Sequence, residues 1–421
     1  MARRIRIHDR VRIGDRVRVR AALTALLLTA LGTAGAPPAA HADGGRCAFP
    51  AENIEERPWA LQRVLLDRVW QESHGGNVSV AVIDTGVDTA HPQLAGAVDA
   101  ARGADFTDAD GDHTTDTVGH GTKVAGIIAA RPHDATGFVG LAPEATIVPI
   151  RQNDAEGSGS VATLAQAIDH AVGVGVDIIN ISQDSDAAPG EESELARAVN
   201  AALDADIVVI ASVGNDGADG ERRLTYPAAY EGVLAVAASD RNNERAPFSQ
   251  SGDFVGIAAP GVDMVSTVPR GGHCVDSGTS FAAPYVAGVA ALLRAAQPDW
   301  TAEQVVTHLK QTAERSQPGP DEDLGWGVVD PVRALTQDTS PPGPTPVPDP
   351  PAPAAPAPDV EPLDLGETHA ERAERLGTFA ILTATLLTAA LAGTALIVRD
   401  YRHRNGLASM RSDRHKMGSP R

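Results

Sequence analysis

Ser280 lies in the run Gly278-Thr279-Ser280-Phe281-Ala282-Ala283-Pro284-Tyr285-Val286-Ala287-Gly288, a hydroxyl at the head of a long apolar segment, 281–296, with helical character. A helix start leaves backbone N–H groups unpaired and carries the positive end of the helix dipole, a setting that stabilises a developing oxyanion. Pro284 reads as part of the first turn, where its missing amide costs little. A serine hydroxyl is a weak nucleophile at neutral pH. It needs a base within hydrogen-bond reach, and the base needs a carboxylate to fix its tautomer and hold its positive charge. His120, between Gly119 and Gly121 ahead of another apolar helical pattern, offers an imidazole that no adjacent side chain blocks. Asp84 closes the β-branched run Val78–Ile83, which predicts a buried parallel strand delivering a carboxylate at its C-terminal edge. Asn215 follows a second such run, Ile207–Ala211. Its amide can donate to an oxyanion beside the Ser280 N–H, and one such donor lowers a barrier by roughly 3–4 kcal/mol.

The elements that must hold these groups follow the same pattern. Short apolar runs predict strands near 78–83, 146–150, 176–181, 207–211 and 233–237, alternating with helical segments. That order predicts an α/β fold, a mainly parallel central sheet with helices on both faces.

Four strings carry a resemblance. VAVIDTGVD, GHGTKVAGI, SVGNDG and GTSFAAPYVAG resemble the Asp, His, Asn and Ser blocks of the subtilisin-like serine proteases, in the chain order of that family, over residues 58–337. The whole layout is most similar to the mycosins, membrane-anchored subtilases of actinobacterial type VII secretion systems. The resemblance implies endopeptide hydrolysis by acyl transfer. Ser280 would attack the carbonyl, His120 move the proton, Asp84 orient His120, and Asn215 with the Ser280 amide bind the oxyanion. No metal or organic cofactor is required. It also implies that the segment after strand 176–181 lines the pocket for the side chain before the scissile bond, which makes Ser182, Gln183 and Ser212 candidate substrate contacts. Gln183-Asp184 and Ser212 depart from the small or apolar residues common there, and their polarity points to narrow specificity. A rival reading makes the protein chiefly a structural component of a membrane secretion complex, with limited proteolysis. An adhesin on a stalk fits the anchor but leaves the triad unexplained.

The formal charge of −20 over 421 residues is segregated. Residues 1–42 carry eight Arg against two Asp and 399–421 seven Lys/Arg against two Asp, so 43–398 keep 20 basic against 51 acidic residues, net −31. An acidic globular part argues against nucleic-acid binding. The basic ends flank targeting segments. Residues 1–42, with apolar Ala21–Leu31 before Ala40-His41-Ala42, read as a secretory signal peptide. Arg3-Arg4 lacks the flanks of a twin-arginine signal. Gly377–Val398 is uncharged and long enough to cross a bilayer, and the basic tail 399–421 places it in the cytoplasm with the acidic domain outside the cell. Residues 338–376 form a proline-rich linker and juxtamembrane segment, with Ser340–Pro362 read as a semi-rigid spacer and 363–376 as a short polar helix.

Cys47 and Cys274 would both lie outside the cell, which predicts a disulfide, two free thiols being the alternative. The bridge would tie the N-terminal extension 43–57 to the nucleophile loop. About 41 residues separate the expected cleavage site from Asp84, too few for a folded inhibitory propeptide, so 43–57 reads as a clamp like the mycosin extension. The acidic run 105–116 (DFTDADGDHTTD) looks like the start of a calcium loop, but no glutamate follows at EF-hand spacing, and it reads as a solvated loop with His113 on its surface. His91 fits a structural turn and not a ligand.

Overall fold

Alternate residues of each strand serve two different cores, and that alternation builds the sheet. The protein is seen in a computed structural model, which describes residues 47–107, 111–154, 159–185, 190, 193–337, 340–348 and 366–414. The expected signal peptide, Asp108 and Asp110 lie outside the described residues. The strands are β1 Ser79–Asp84, β2 Ala104–Asp105, β3 Thr146–Arg151, β4 Ile178–Ile181, β5 Val208–Ser212, β6 Leu234–Ser239, β7 Ile257–Pro260, β8 Met264–Thr267 and β9 His273–Asp276. The first seven form one parallel sheet in the order β2-β3-β1-β4-β5-β6-β7; β8 and β9 pair as an antiparallel hairpin.

The helices are α1 Trp59–Gln62, α2 Leu66–Glu72, α3 His120–Ala129, α4 Val161–Gly173, α5 Glu194–Asp204, α6 Thr279–Ala296, α7 Ala302–Thr312, α8 Pro331–Thr336 and α9 His369–Arg414. Val80 and Val82 of β1 face one way, into a core shared with α3 and α6 (Val124, Ile128, Val286, Val289). Ala81 and Ile83 face the other way, against α4 and α5 (Leu164, Ile168, Leu195, Val199). A period of two along a strand covered on both faces requires this continuous apolar run. β1 sits where the chain's direction across the sheet reverses, with β3 and β2 on one flank and β4 to β7 on the other. Parallel sheets open a crevice at the carboxyl ends of strands at such a point, and Asp84 occupies that end.

The five expected strands are present, shifted by a residue or two. The register brings Asp84 and Ser212 inside their strands, and β4 begins at Ile178. The edge strand β2, strand β7 and the β8–β9 hairpin were not expected. β2 is a dipeptide, β7 is Ala- and Pro-containing, and the hairpin strands mix polar with apolar residues, so none shows a β-branched run. Helix α6 starts at Thr279, not at Phe281, so Ser280 lies within its first turn and Pro284 beyond it. A helical residue at 284 would donate to the carbonyl of Ser280, and proline cannot.

The N-terminal segment is strapped to the hairpin. Ala51 N–H donates to Gly271 O at 3.0 Å, and His273 N–H to Glu52 O at 3.0 Å. Ile54 N–H donates to His273 Nδ1 at 3.2 Å, and Gly137 N–H to Glu55 O at 2.8 Å. Cys47 and Cys274 are bridged, as expected, with Cα atoms 6.0 Å apart. The bridge spans 227 residues of sequence. By loop-closure entropy it stabilises by about 5 kcal/mol. Cys47→Ser should therefore lower the urea midpoint and raise the slope, because the unbridged unfolded chain exposes more surface. An unchanged midpoint would leave the backbone bonds of the strap as its sole anchor.

The second compact unit, from residue 351 on, contains α9. This helix runs past the expected 377–398 span at both ends, because its polar flanks keep helical propensity. The expected short polar helix within 363–376 is its first turns. At about 1.5 Å per residue the uncharged stretch covers about 33 Å, enough for a hydrocarbon core. Thr383, Thr385, Thr388 and Thr394 each return a hydroxyl proton to the carbonyl four residues back, at 2.7–2.8 Å. Such back-bonding lets hydroxyls sit in lipid. Helix α6 is also long and apolar, but most of it is buried in the domain core.

Candidate active site

Asp84 ends β1 with its side chain almost wholly buried. Its Oδ1 accepts from the Thr85 N–H at 2.8 Å. His120 begins α3 immediately above it, and Nδ1 lies 2.8 Å from Asp84 Oδ1 and 2.9 Å from Oδ2. The close approach depends on Gly121, where a Cβ would run into Gly86 O and the Asp84 side chain. With Nδ1–H directed at the carboxylate, Nε2 is the free lone pair of the neutral ring.

Ser280 is half-buried in the first turn of α6. The residues on either side tie it to the other groups. Thr279 N–H donates to Asn215 Oδ1 at 2.9 Å, and the Thr279 hydroxyl to the same oxygen at 3.1 Å. Phe281 packs its ring against His120, with centroids 5.4 Å apart. Asn215 is exposed just past the end of β5, and engagement of its oxygen directs the donor nitrogen away from Thr279. Asp84, His120, Ser280 and Asn215 thus converge at the carboxyl ends of β1 and β5. Ser280 Oγ has no hydrogen bond among the described residues, in keeping with the general looseness of catalytic hydrogen bonds in enzymes without substrate.

Asp116 is a buried carboxylate near His120 that the sequence reading did not single out. It closes the acidic run, which is not solvated throughout: Asp116 is buried and accepts five hydrogen bonds. They come from the Thr85 hydroxyl, the Val118 and Gly119 amides, and the amide and hydroxyl of Thr122. Burial raises its carboxyl above the usual range, against the opposing pull of those donors. The visible signal was its position four residues ahead of His120. His113 also departs from a surface role, being half-buried with Nε2 at 3.0 Å from Ala100 O. His91 is buried in its turn, accepting from Gln93 N–H, as a structural residue.

His120 feels opposing influences. Burial works against its charged form, but the charge and hydrogen bond of Asp84, with the charge of Asp116, outweigh it and lift the imidazole above its ordinary value.

The expected substrate contacts divide. Ser182 and Ser212 are buried, and Ser182 Oγ accepts from Asn180 Nδ2 at 2.9 Å. Both lie at or just past the carboxyl ends of their strands, where their backbone borders the segment expected to line the pocket. Gln183 is half-buried, and its Nε2 has no hydrogen-bond partner among the described residues. Asp184, beside it, extends its carboxylate toward Gly214, so that a Cβ there would lie 2.7 Å from Asp184 Oδ2. Among the described residues no His, Cys, Asp and Glu cluster fit to hold a metal is present.

These features define a serine protease of subtilisin-like fold, and the comparisons agree. The subtilase family model matches residues 75–327, so the chain belongs to that family. M-protease of Shouchella clausii is 41% identical over 257 residues, 61% of this chain and 64% of that protein. The matched part thus spans under two thirds of that relative. The structure of the MycP3 protease from the type VII (ESX-3) secretion system aligns with TM-score 0.60 and 36% identity, covering 69% of this chain and 90% of that one. MycP1 from Mycobacterium smegmatis aligns with TM-score 0.63 and 30% identity, covering 73% and 92%.

Proposed function

We propose that this chain is an exported, membrane-anchored serine endopeptidase whose triad is Asp84, His120 and Ser280, working beside a type VII secretion system. The observation that carries the triad is the double contact of His120 Nδ1 with both Asp84 oxygens, at 2.8 and 2.9 Å, on a ring packed against the residue after Ser280. Ser280 Oγ attacks the peptide carbonyl while His120 Nε2 accepts its proton. The tetrahedral oxyanion takes hydrogen bonds from Asn215 Nδ2 and the first-turn N–H of Ser280. The imidazolium then protonates the leaving amine, and water repeats the sequence on the acyl-enzyme.

The membrane placement is supported by the uncharged stretch of α9 and by the basic residues after it, including Arg399, Arg402 and Arg404. By the positive-inside rule they keep the tail cytoplasmic and the catalytic domain outside. The secretion-system role is supported by the likeness to MycP3 and MycP1. Substrate is an extended peptide, and the carboxylate of Asp184 with the amide of Gln183 favours a polar side chain before the scissile bond over a large apolar one.

A fluorophosphonate probe tests the reading on the full chain in detergent. The expected result is one adduct, on the peptide containing Ser280; a folded protein that never labels there overturns the assignment. Secretion that survives Ser280→Ala but not deletion of the chain would favour the structural role instead. Asn215→Ala should lower kcat about 10²–10³-fold with little change in KM, because its donor meets charge that exists only in the transition state. Steady-state kinetics on a chromogenic peptide measures it, and a loss confined to KM would remove Asn215 from the oxyanion site.

A further inference from the structure

We propose that Lys123 and Asp276 are positioning residues, a buried lysine and a half-exposed carboxylate that together hold the His120 helix in register with the Ser280 turn. The inference rests on the assignment of His120 and Ser280 made above.

Lys123 lies one turn after His120 on α3, and its side chain is only 9% exposed. An ammonium so far from water needs a partner. Its Nζ donates to Asp276 Oδ2 at 2.8 Å. The other oxygen of Asp276 accepts from the Ser277 N–H at 2.9 Å, the amide that begins the run into Gly278-Thr279-Ser280. One carboxylate therefore grips the histidine helix with one oxygen and the backbone leading to the nucleophile with the other.

The contact closes a ring of neighbours. Lys123 Nζ sits 5.9 Å from the centroid of Phe281, and Phe281 packs on His120. Going round, His120 is joined to Lys123 through α3, Lys123 to Asp276 through the ion pair, and Asp276 to Ser280 and Phe281 through the chain. The β8–β9 hairpin stiffens it. Ser266 Oγ donates to Lys123 O at 2.6 Å and Thr267 Oγ1 to Thr122 O at 2.8 Å. Gly126 allows that approach, since a Cβ there would run into Thr267. Asp276 and Cys274 share β9, so the strap and the ion pair restrain the same strand.

A pair that only neutralised a buried lysine would affect stability alone. This pair must also affect chemistry, because about 1 Å of misplacement between nucleophile and base costs about 10²-fold in rate. It also enters the field at His120, which feels Asp84 from β1, Asp116 from the preceding loop and Lys123 on its own helix, Asp276 acting on it through Lys123. Lys123 opposes the imidazolium. Lys123→Met removes that opposition and leaves Asp276 unpaired, so the acid limb of kcat/KM moves to higher pH. Asp276→Asn leaves the lysine unpaired and moves the limb to lower pH.

The test uses the full chain in detergent, with peptide kinetics from pH 5 to 9, the rate of fluorophosphonate labelling, and thermal melts. Expected are a 10–100-fold loss of kcat with KM nearly unchanged, opposite shifts of the acid limb in Lys123→Met and Asp276→Asn, and recovery of most of the rate in Lys123→Arg. Asp276 is half-exposed, so Asp276→Asn serves if Lys123→Met does not fold. Folded variants with wild-type labelling rate and unshifted acid limbs, losing only thermal stability, overturn the inference and leave the triad standing. A wild-type protein that does not label overturns both.

Discussion

Ser280→Ala is expected to lower kcat about 10⁶-fold, the size of loss that removal of the serine causes in subtilisin. The magnitude follows from what the hydroxyl does. Without Oγ no acyl-enzyme forms, and His120 has no proton to accept, so Asp84 and His120 lose their purpose together. What survives is binding and the oxyanion donors, which still accelerate attack by water about 10³–10⁴-fold over solution. The substitution is otherwise mild. Ser280 is half-buried at a helix start, its Oγ accepts and donates nothing among the described residues, and alanine suits the first turn of α6. The variant should therefore melt as the wild type does and bind substrate with similar KM. Single-turnover kinetics with a peptide thioester or ester, alongside a thermal melt, measures both. Residual activity above about 1% of wild type, far over the surviving background, would mean that another group attacks the carbonyl.

The site was legible in the sequence to the extent that its chemistry is local. Asp84 and Asn215 follow β-branched runs, and His120 and Ser280 open helices, so each could be recognised within about ten residues of chain. The sheet was legible for the same reason, as strands covered on both faces must be apolar throughout. What escaped notice depends on contacts between distant segments. Lys123 reads as an ordinary exposed helix residue until β9, 153 residues later, brings Asp276 to it. Asp116 reads as one more acid in a polar loop until α3 and Thr85 enclose it. Ser212, a candidate substrate contact by resemblance, is the last residue of β5 and is buried, a placement that depends on sheet register. Pro284 falls beyond the first turn because the helix begins at Thr279, two residues before the apolar segment that signals it in the sequence.

The raised imidazole links stability to pH. A histidine whose folded pKa lies above its unfolded value contributes stability fully below the unfolded value, near 6.5, and loses it as pH rises through the folded one. Activity runs the other way, since only neutral His120 accepts the Ser280 proton. The enzyme should therefore gain kcat/KM over the same window in which this pair ceases to stabilise the fold.

Asp84→Asn separates the two effects and carries the second-largest expected loss, about 10⁴-fold in kcat. The side chain keeps its volume, and Thr85 N–H can still find the amide oxygen, so the strand end is preserved. Two things change at His120. The carboxylate that accepted from Nδ1 is replaced by a group that can also donate there, which favours the tautomer with the proton on Nε2 and turns the base away from its task. The negative charge that outweighed burial is gone, so the imidazolium loses its main support and the pKa falls. The acid limb of kcat/KM should accordingly move to lower pH while the plateau drops. The stability that wild type loses above pH 6.5 should be missing from the variant at every pH. Rate profiles from pH 5 to 10 with parallel denaturant melts read both. A lowered plateau with an unmoved acid limb would mean that Asp116, the other carboxylate facing His120, dominates the charge on the ring, and Asp116→Asn would then have to move the limb instead.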